Sequence, residues 1–264
     1  MKGLKEKVSV IMPAFNEGNR IQQSIRETAG VFSSAGCTWE LIVMDDGSSD
    51  DTFEKANALL KEYPENLMVK KNPMNLGKGR ALKKAIHYVK GEYVVFLDAD
   101  MDLHPLQIET LFDMMQLNNS DIVIGSKLHP NSKVDYPLWR KLMSFVYYCL
   151  VKFLFNLPCH DTQTGLKVFR AEVLHRVFPR LLVKQFAFDL ELLVNAHHLG
   201  YKISEAPIVL NSQRYHGRIG FQSAYSTFLD TLAIFYRLRI IRYYDRIDYY
   251  RHKNMAKEFR RVRR

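Results

Sequence analysis

Residues 94–102 read VVFLDADMD. An apolar run suited to a buried strand ends in aspartates at every second position: Asp98, Asp100 and Asp102. Like charges this close repel, and ionising all of them is costly unless something cationic joins them. In an extended segment alternate residues face the same way, so the three side chains are expected to point together. Such a set of hard oxygen donors suits Mg²⁺ or Mn²⁺, and Mg²⁺ commonly takes one or two carboxylates and fills its other positions with water and substrate phosphate. The plainer reading is an acidic turn that caps the helix beginning near His104.

Working outward, the first half of the chain alternates between two periodicities. VSVIMPA (8–14), ELIVMDD (40–46), LMVKKN (67–72), EYVVFLDAD (92–100) and DIVIG (121–125) read as strands. Between them, GNRIQQSIRETAGVF, the segment capped from Ser48–Asp51, GKGRALKKAIHYVKG and HPLQIETLFDMMQLN read as helices. This alternation predicts an α/β fold with a mainly parallel central sheet flanked by helices. Ligands of such sheets sit beyond the carboxyl ends of the strands. The polar clusters NEG (16–18), DDGSSD (45–50) and DADMD (98–102) each follow a strand and should converge on one rim. Gly77 and Gly79 flank Lys78 at a helix start, a place suited to phosphate, although the P-loop spacing is absent. After residue 130 the pattern becomes a long aromatic helix (137–157), a polar loop CHDTQTG, a strand LKVFR, the helices AEVLHRVF and FDLELLVNAHHLG, a strand KISEAPIVL and a long helix over roughly 221–243.

Composition narrows the class. The chain has 264 residues, is 47% hydrophobic and carries three cysteines with no metal-binding spacing, which suits a reducing compartment. The N-terminus lacks the apolar core of a signal peptide, and the longest apolar stretch, 142–159, is interrupted by Lys152. Of the formal charge of +10, Arg237 to Arg264 contribute eleven Lys/Arg against three Asp/Glu, or +8. A basic terminal segment suggests an anionic partner such as a membrane surface. No nucleic-acid recognition motif accompanies it, so no nucleic-acid partner is expected.

The ordered set IMPAFNEG, IVMDDGSSDDT, NLGKGRAL and VVFLDADMD closely resembles the family-2 glycosyltransferases with the GT-A fold. DIVIGSK, WRKLMS, DTQTGLKVFRAEVL, FAFDLELLVNAHHLGYKISEAPIVL and RYHGRIG resemble the branch that makes dolichyl-phosphate or polyprenyl-phosphate sugars. The resemblance covers roughly residues 7–243. It implies a GT-A catalytic unit over 1–220, with an acceptor region at 127–165, followed by an amphipathic helix and basic tail over 221–264. Pro13, Phe15, Glu17 and Asp46, with Asp45 beside them, resemble the nucleotide pocket, and Lys78 would lie near the nucleotide. Asp98, Ala99 and Asp100 resemble the metal and diphosphate motif; Asp102 stands where many relatives carry glutamine. Lys127 replaces an arginine expected in GSR, a point charge in place of a bidentate fork. Arg140 and Ser144 resemble acceptor-phosphate contacts, and Lys184, Arg214 and Arg218 resemble cations around the diphosphates.

The activity this implies is metal-dependent, inverting transfer of a hexose from a nucleotide-diphosphate sugar of the GDP-mannose or UDP-glucose type to dolichyl or polyprenyl phosphate. Asp100, Lys127, Arg140 and Asp161 are the candidate catalytic residues. The alternative is transfer to a hydroxyl of a glycan or small molecule, for which a carboxylate base is needed and Asp161, Asp189 or Glu191 are the candidates. A lipid phosphate needs no strong base, because its second pKa lies near ~6 and it is already largely ionised at neutral pH. The aromatic helix 138–157 and the segment 221–243 carry apolar and aromatic residues beside arginines, as an interfacial helix does. The expectation is a peripheral enzyme on the cytoplasmic face of a membrane; packing on each other or on a second subunit, as a homo-oligomer, is the other use of these helices.

Overall fold

The computed structural model describes residues 1, 4–134, 138–183, 187–210 and 221–246, without the side chains at 138, 140 and 221–223. The first half alternates as the sequence predicts: β1 (Val8–Ala14), α1 (Ile21–Ala35), β2 (Trp39–Asp45), α2 (Thr52–Ala58), β3 (Leu67–Lys71), α3 (Lys78–Ala85), β4 (Tyr93–Phe96), α4 (Gln107–Asn118) and β5 (Ile122–Ser126). The second half adds β6 (Lys133–Val134), α5 (Leu138–Phe155), β7 (Lys167–Arg170), α6 (Ala171–Val177), α7 (Phe188–His198), β8 (Ile203–Pro207), β9 (Val209–Leu210) and α8 (Phe221–Phe235).

Seven strands form one sheet in the order β3-β2-β1-β4-β7-β5-β8, and β6 pairs with β9 in a separate ribbon. All neighbours in the large sheet are parallel except β7, which runs antiparallel to both β4 and β5. The central strands are apolar on both faces because both faces are covered. Ile11 and Ile42 pack into one core with α3, α6 and α7, whereas Val10, Met12 and Val43 pack into a second with α1 and α4. This is the α/β GT-A architecture anticipated above, a mostly parallel sheet between helical layers.

The reversed strand has a consequence for the rim. Because β7 is antiparallel, its first residue, Lys167, lies opposite both Phe96 at the end of β4 and Ile124 in β5. The loop that leads into β7, residues 159–166, is thereby delivered to the carboxyl ends of its parallel neighbours.

Two segments differ from the sequence expectation. KISEAPIVL divides at Pro207, and Val209 and Leu210 pair with β6 rather than extending β8; proline offers no N–H to continue a ladder. The helix expected over roughly 221–243 leaves regular α geometry after Phe235, passes through a π turn (Tyr236–Ile240) and breaks at Arg242, whose φ is 48°. A non-glycine residue in that region carries a backbone cost, which the packing of Tyr244 into the core offsets.

The three cysteines are free, with Cys149 exposed on α5 and Cys37 and Cys159 buried. Burial, reinforced by Glu205 and Asp161, pushes the Cys159 thiol up to about 12, and burial also raises Cys37. Titration of the native protein with a thiol reagent at pH 8 is therefore expected to modify one cysteine rapidly and all three after denaturation; rapid reaction of more than one native thiol would contradict this packing.

Candidate active site

The rim is assembled by loops that hold one another. After β1, Asn16 takes a left-handed φ of 55° and its N–H donates to Ser48 Oγ at 2.9 Å, while its side-chain oxygen accepts the Ser49 N–H at 3.0 Å. The buried Glu17 donates its N–H to Thr52 Oγ1 at 2.8 Å. The fully buried Asp45 accepts the Ser48 N–H at 3.0 Å and also its hydroxyl, with Lys71 at 3.7 Å. Asp46 accepts Asn72 Nδ2 at 2.7 Å and the N–H groups of Leu76 and Gly77 at 3.1 and 2.8 Å. Asp46 thus fixes the NLGKG loop at the start of α3, an arrangement that requires the φ of 89° found at Gly77. Phe15 remains 37% exposed beside this cleft, with Pro13 half-buried.

The aspartate cluster comes next. β4 ends at Phe96, and residues 99–103 form turns and bends with Met101 at φ 63°, so the three side chains do not meet through the extended alternation expected from their spacing. Backbone bracing does the work instead. Arg20 donates to the Asp100 carbonyl at 2.8 Å, Ser24 to the Ala99 carbonyl at 2.7 Å, and the Asp102 N–H to Asp100 Oδ1 at 3.1 Å. Asp98 is gripped by Lys78 Nζ at 2.6 and 2.9 Å. Burial works against the charge of Lys78, but Asp98, then Asp189 and Asp100, outweigh it and hold the amine above the ordinary lysine range.

Burial, Asp98 and Asp102 push the Asp100 carboxyl up to about 6. A carboxyl raised by neighbouring carboxylates is where a cation is most stabilising, and its hard oxygens fit Mg²⁺ or Mn²⁺. Among the described residues no three His, Cys, Asp or Glu side chains form a ready-made metal cage. The expected three-carboxylate group of Asp98, Asp100 and Asp102 is therefore not assembled by the described residues alone.

The loop before β7 closes the other side. Gly165 lies so near Asp98 that a Cβ there would stand 2.0 Å from Oδ2. The buried Lys167 donates to the Thr164 carbonyl and pairs with Asp189 of α7, each at 2.5 Å. Asp161 accepts the N–H groups of Lys127 and Gln163 at 3.1 Å and the Thr164 hydroxyl at 2.6 Å, with Lys127 Nζ at 3.5 Å. Burial tends to raise this carboxyl; the Lys127 charge and these hydrogen bonds outweigh it and hold it below the usual range. Asp189 and Glu191 lie in the first turn of α7, whose N-cap position is Ala187 and makes no side-chain cap.

Ser144 is half-buried on α5; the Arg140 side chain and Lys184, Arg214 and Arg218 lie outside the described residues. Sequence reasoning assigned no role to Arg20, Gly165 or Lys167. The available signal was the lysine inside the otherwise apolar strand LKVF, which must find a buried partner.

A family model for glycosyl transferase family 2 matches residues 9–178. A dolichyl-phosphate beta-glucosyltransferase of Trichomonas vaginalis, ALG5A, is 33% identical over 241 residues, covering 88% of this chain and 74% of that protein. The dolichyl-phosphate beta-glucosyltransferase of Dictyostelium discoideum is 30% identical over 218 residues, with coverages of 76% and 65%. Among solved structures, glucosyl-3-phosphoglycerate synthase from Mycobacterium tuberculosis, crystallised with Mn²⁺, UDP and phosphoglyceric acid, superimposes with a TM-score of 0.66 at 21% identity, covering 88% of this chain and 78% of that one.

The contact between Gly165 and Asp98 yields a prediction. In Gly165→Ala the nearest contacts of the methyl are all with the Asp98 side chain, at Oδ2, Cγ and Cβ, so melting temperature should fall by no more than the loss of the Lys78 pairing explains, whereas displacement of Asp98 from its place should lower sugar-transfer turnover at least tenfold. Steady-state kinetics beside a thermal melt checks this, and an equal-to-wild-type kcat would show that Asp98 need not sit there.

Proposed function

The chain belongs to glycosyl transferase family 2 and is a glycosyltransferase, and from that premise we propose that it moves glucose from UDP-glucose to a dolichyl or polyprenyl phosphate. The choice of glucose over mannose, and of UDP over GDP, is supported by the names of the curated relatives. The observation that carries the acceptor assignment is the state of the three candidate bases. Asp161 is spent on Lys127 and the loop, Asp189 on Lys167, and Glu191 is fully buried. None of the three is placed as the free base that a hydroxyl acceptor demands. A phosphate monoester brings its own negative oxygen.

In this reading, the cleft between the NEG, DDGSSD and NLGKG loops takes the nucleotide, with Phe15, Glu17, Asp45 and Asp46 in its wall. Lys78 adds positive charge beside the leaving diphosphate. Asp98 and Asp100, with Asp102 adjoining, would hold Mg²⁺ or Mn²⁺, and that ion supplies charge neutralisation to the departing diphosphate. Lys127, Arg140 and Ser144, with Lys184, Arg214 and Arg218, hold the acceptor phosphate and the diphosphate. Direct attack by the phosphate oxygen inverts the anomeric centre, giving a β-linked product from an α-linked donor.

The acceptor is a lipid, so the enzyme must meet a membrane. Among the described residues no helix is long and apolar enough to cross one. α5 and α8 pack on each other through Phe155 against Phe235 and a 3.2 Å contact between Tyr147 and Thr231 hydroxyls. Their outer sides stay exposed: Trp139, Leu142, Phe145, Val146 and Phe153 on α5, Tyr225, Phe228 and Leu229 on α8. Aromatic and aliphatic surface of this extent, continued by a basic tail, suits the cytoplasmic face of a membrane, where each Lys/Arg near anionic lipid contributes about 1 kcal/mol. In this division residues 1–220 carry the chemistry and, through α5, part of the attachment face, and 221–264 carry the rest of the attachment.

Two measurements test the proposal. Radiolabelled UDP-glucose should be transferred to polyprenyl phosphate and not to free polyprenol. Chelation should abolish the transfer, Mg²⁺ or Mn²⁺ should restore it, and Asp100→Asn should remove at least 99% of it without unfolding the protein. Transfer to the polyprenol alone would establish the hydroxyl alternative. In flotation with anionic vesicles, the double variant Trp139→Ala/Phe153→Ala should bind several-fold more weakly; unchanged flotation together with a concentration-dependent mass would assign the face to a second subunit.

A further inference from the structure

The first turn of α7 is a junction between parts of the molecule distant in sequence. Phe188 lies under the start of α3, where a Cβ on Gly79 would come within 2.7 Å of its ring. Asp189 holds Lys167 at the start of β7. Glu191, one turn in, is fully buried. Its Oε2 accepts the N–H groups of Leu182 and Val183, both at 2.8 Å. Its Oε1 accepts the Tyr244 hydroxyl at 2.6 Å and faces Arg237 Nη2 at 3.6 Å. The loop that Glu191 holds is also held from α3, where Lys83 donates to the Leu181 carbonyl at 3.1 Å.

Burying a carboxylate is expensive unless it is paired and hydrogen-bonded, and an apolar residue in its place is often neutral or stabilising. Core filling therefore does not account for Glu191, whereas its partners do: two belong to a loop bonded to α3, and two to the segment beyond α8. Burial and Glu191 together keep the Tyr244 phenol protonated, so it serves as the donor. The left-handed break at Arg242 precedes Tyr244, which reaches Glu191, and a second tether, Asp245 to His198 Nε2 at 2.6 Å, fixes the same segment to the far end of α7.

We infer that Glu191 is a positioning residue: it couples the C-terminal segment, through the 181–183 loop and the first turn of α7, to the start of α3 that presents Lys78 to Asp98. Release of Tyr244 or Arg237 loosens the Leu182 and Val183 amides, and α3 and Lys78 lose their backing. The segment that follows the lipid-facing helix is thus part of the apparatus that sets the rim. The kinetic half of this inference rests on the function proposed above; the structural half does not.

The experiment uses the full chain and two variants, Tyr244→Phe and Glu191→Gln. Amide hydrogen exchange is read on the substrate-free protein. Tyr244→Phe removes one oxygen from the core and is expected to keep the melting temperature within a few degrees. It should speed exchange at Leu182 and Val183 at least tenfold, and at Arg80 and Ala81 at the start of α3 several-fold. In the transfer assay kcat should fall at least fivefold with the KM for UDP-glucose within twofold of wild type, and Glu191→Gln should show the same pattern more strongly. Unchanged exchange at 182–183 and 80–81 in both variants overturns the inference, as does a kcat loss that merely tracks lost melting temperature. If the wild-type protein transfers nothing to any polyprenyl phosphate, the proposed function fails on its own, and the exchange pattern still decides whether Glu191 couples the two regions.

Discussion

Everything at the rim depends on how the charge at the end of β4 is tolerated. Asp98, Asp100 and Asp102 lie close in sequence, and burial together with the charges of Asp98 and Asp102 raises the Asp100 carboxyl. The fold answers with Lys78, brought in by a helix whose first residue it is. That helix is in turn placed by Asp46, which takes the Leu76 and Gly77 amides, and Asp46 follows β2, the neighbour of β1. A single ion pair therefore sets the relation between two βα units. The raised Asp100 carboxyl is what a divalent cation would relieve, so under the proposed function the same local excess of negative charge would favour a metal carrying a diphosphate.

The reversed strand β7 extends this logic to the second half. A parallel strand between β4 and β5 would have sent its preceding loop to the opposite edge of the sheet. Running antiparallel, β7 brings the DTQTG loop to the aspartates, with Gly165 against Asp98 and Lys167 against Asp189. Lys78, Lys127 and Lys167 then each face an aspartate, so the rim alternates in sign. Alternation of this kind fixes loops without committing the site to net charge of either sign, which under the proposed function would suit a cleft admitting anionic substrates and a cation together.

The order of legibility follows from range. The strands and helices up to residue 125 were readable because VVFL, VSVIMPA and their counterparts are apolar on both faces, and because glycine and aspartate clusters mark where each stops. The convergence of NEG, DDGSSD and DADMD was readable from topology alone. The means of convergence was not: Met101 turns the backbone, and no periodicity encodes a single left-handed residue. Nor could the sequence place LKVFR between β4 and β5, since five residues carry too little pairing information to choose a neighbour. Asp189 and Glu191 read as candidate bases because their true partners, Lys167 and Tyr244, lie 22 and 53 residues away.

The fates of those carboxylates bear on what kind of acceptor the site can use. A hydroxyl nucleophile requires a carboxylate that is exposed to it, unpaired and able to accept a proton. Asp161 is held below its usual range by Lys127 and three hydrogen bonds, which makes it a poorer base, and Glu191 is sealed beneath the surface by four partners. Removing these groups from proton transfer costs a phosphate acceptor nothing, because its attacking oxygen is already anionic. What such an acceptor needs is order among the positive groups that receive it. Under the proposed function, buried carboxylates committed to lysines, an arginine and backbone amides would contribute to that order, so the features that make them poor bases would suit them as supports.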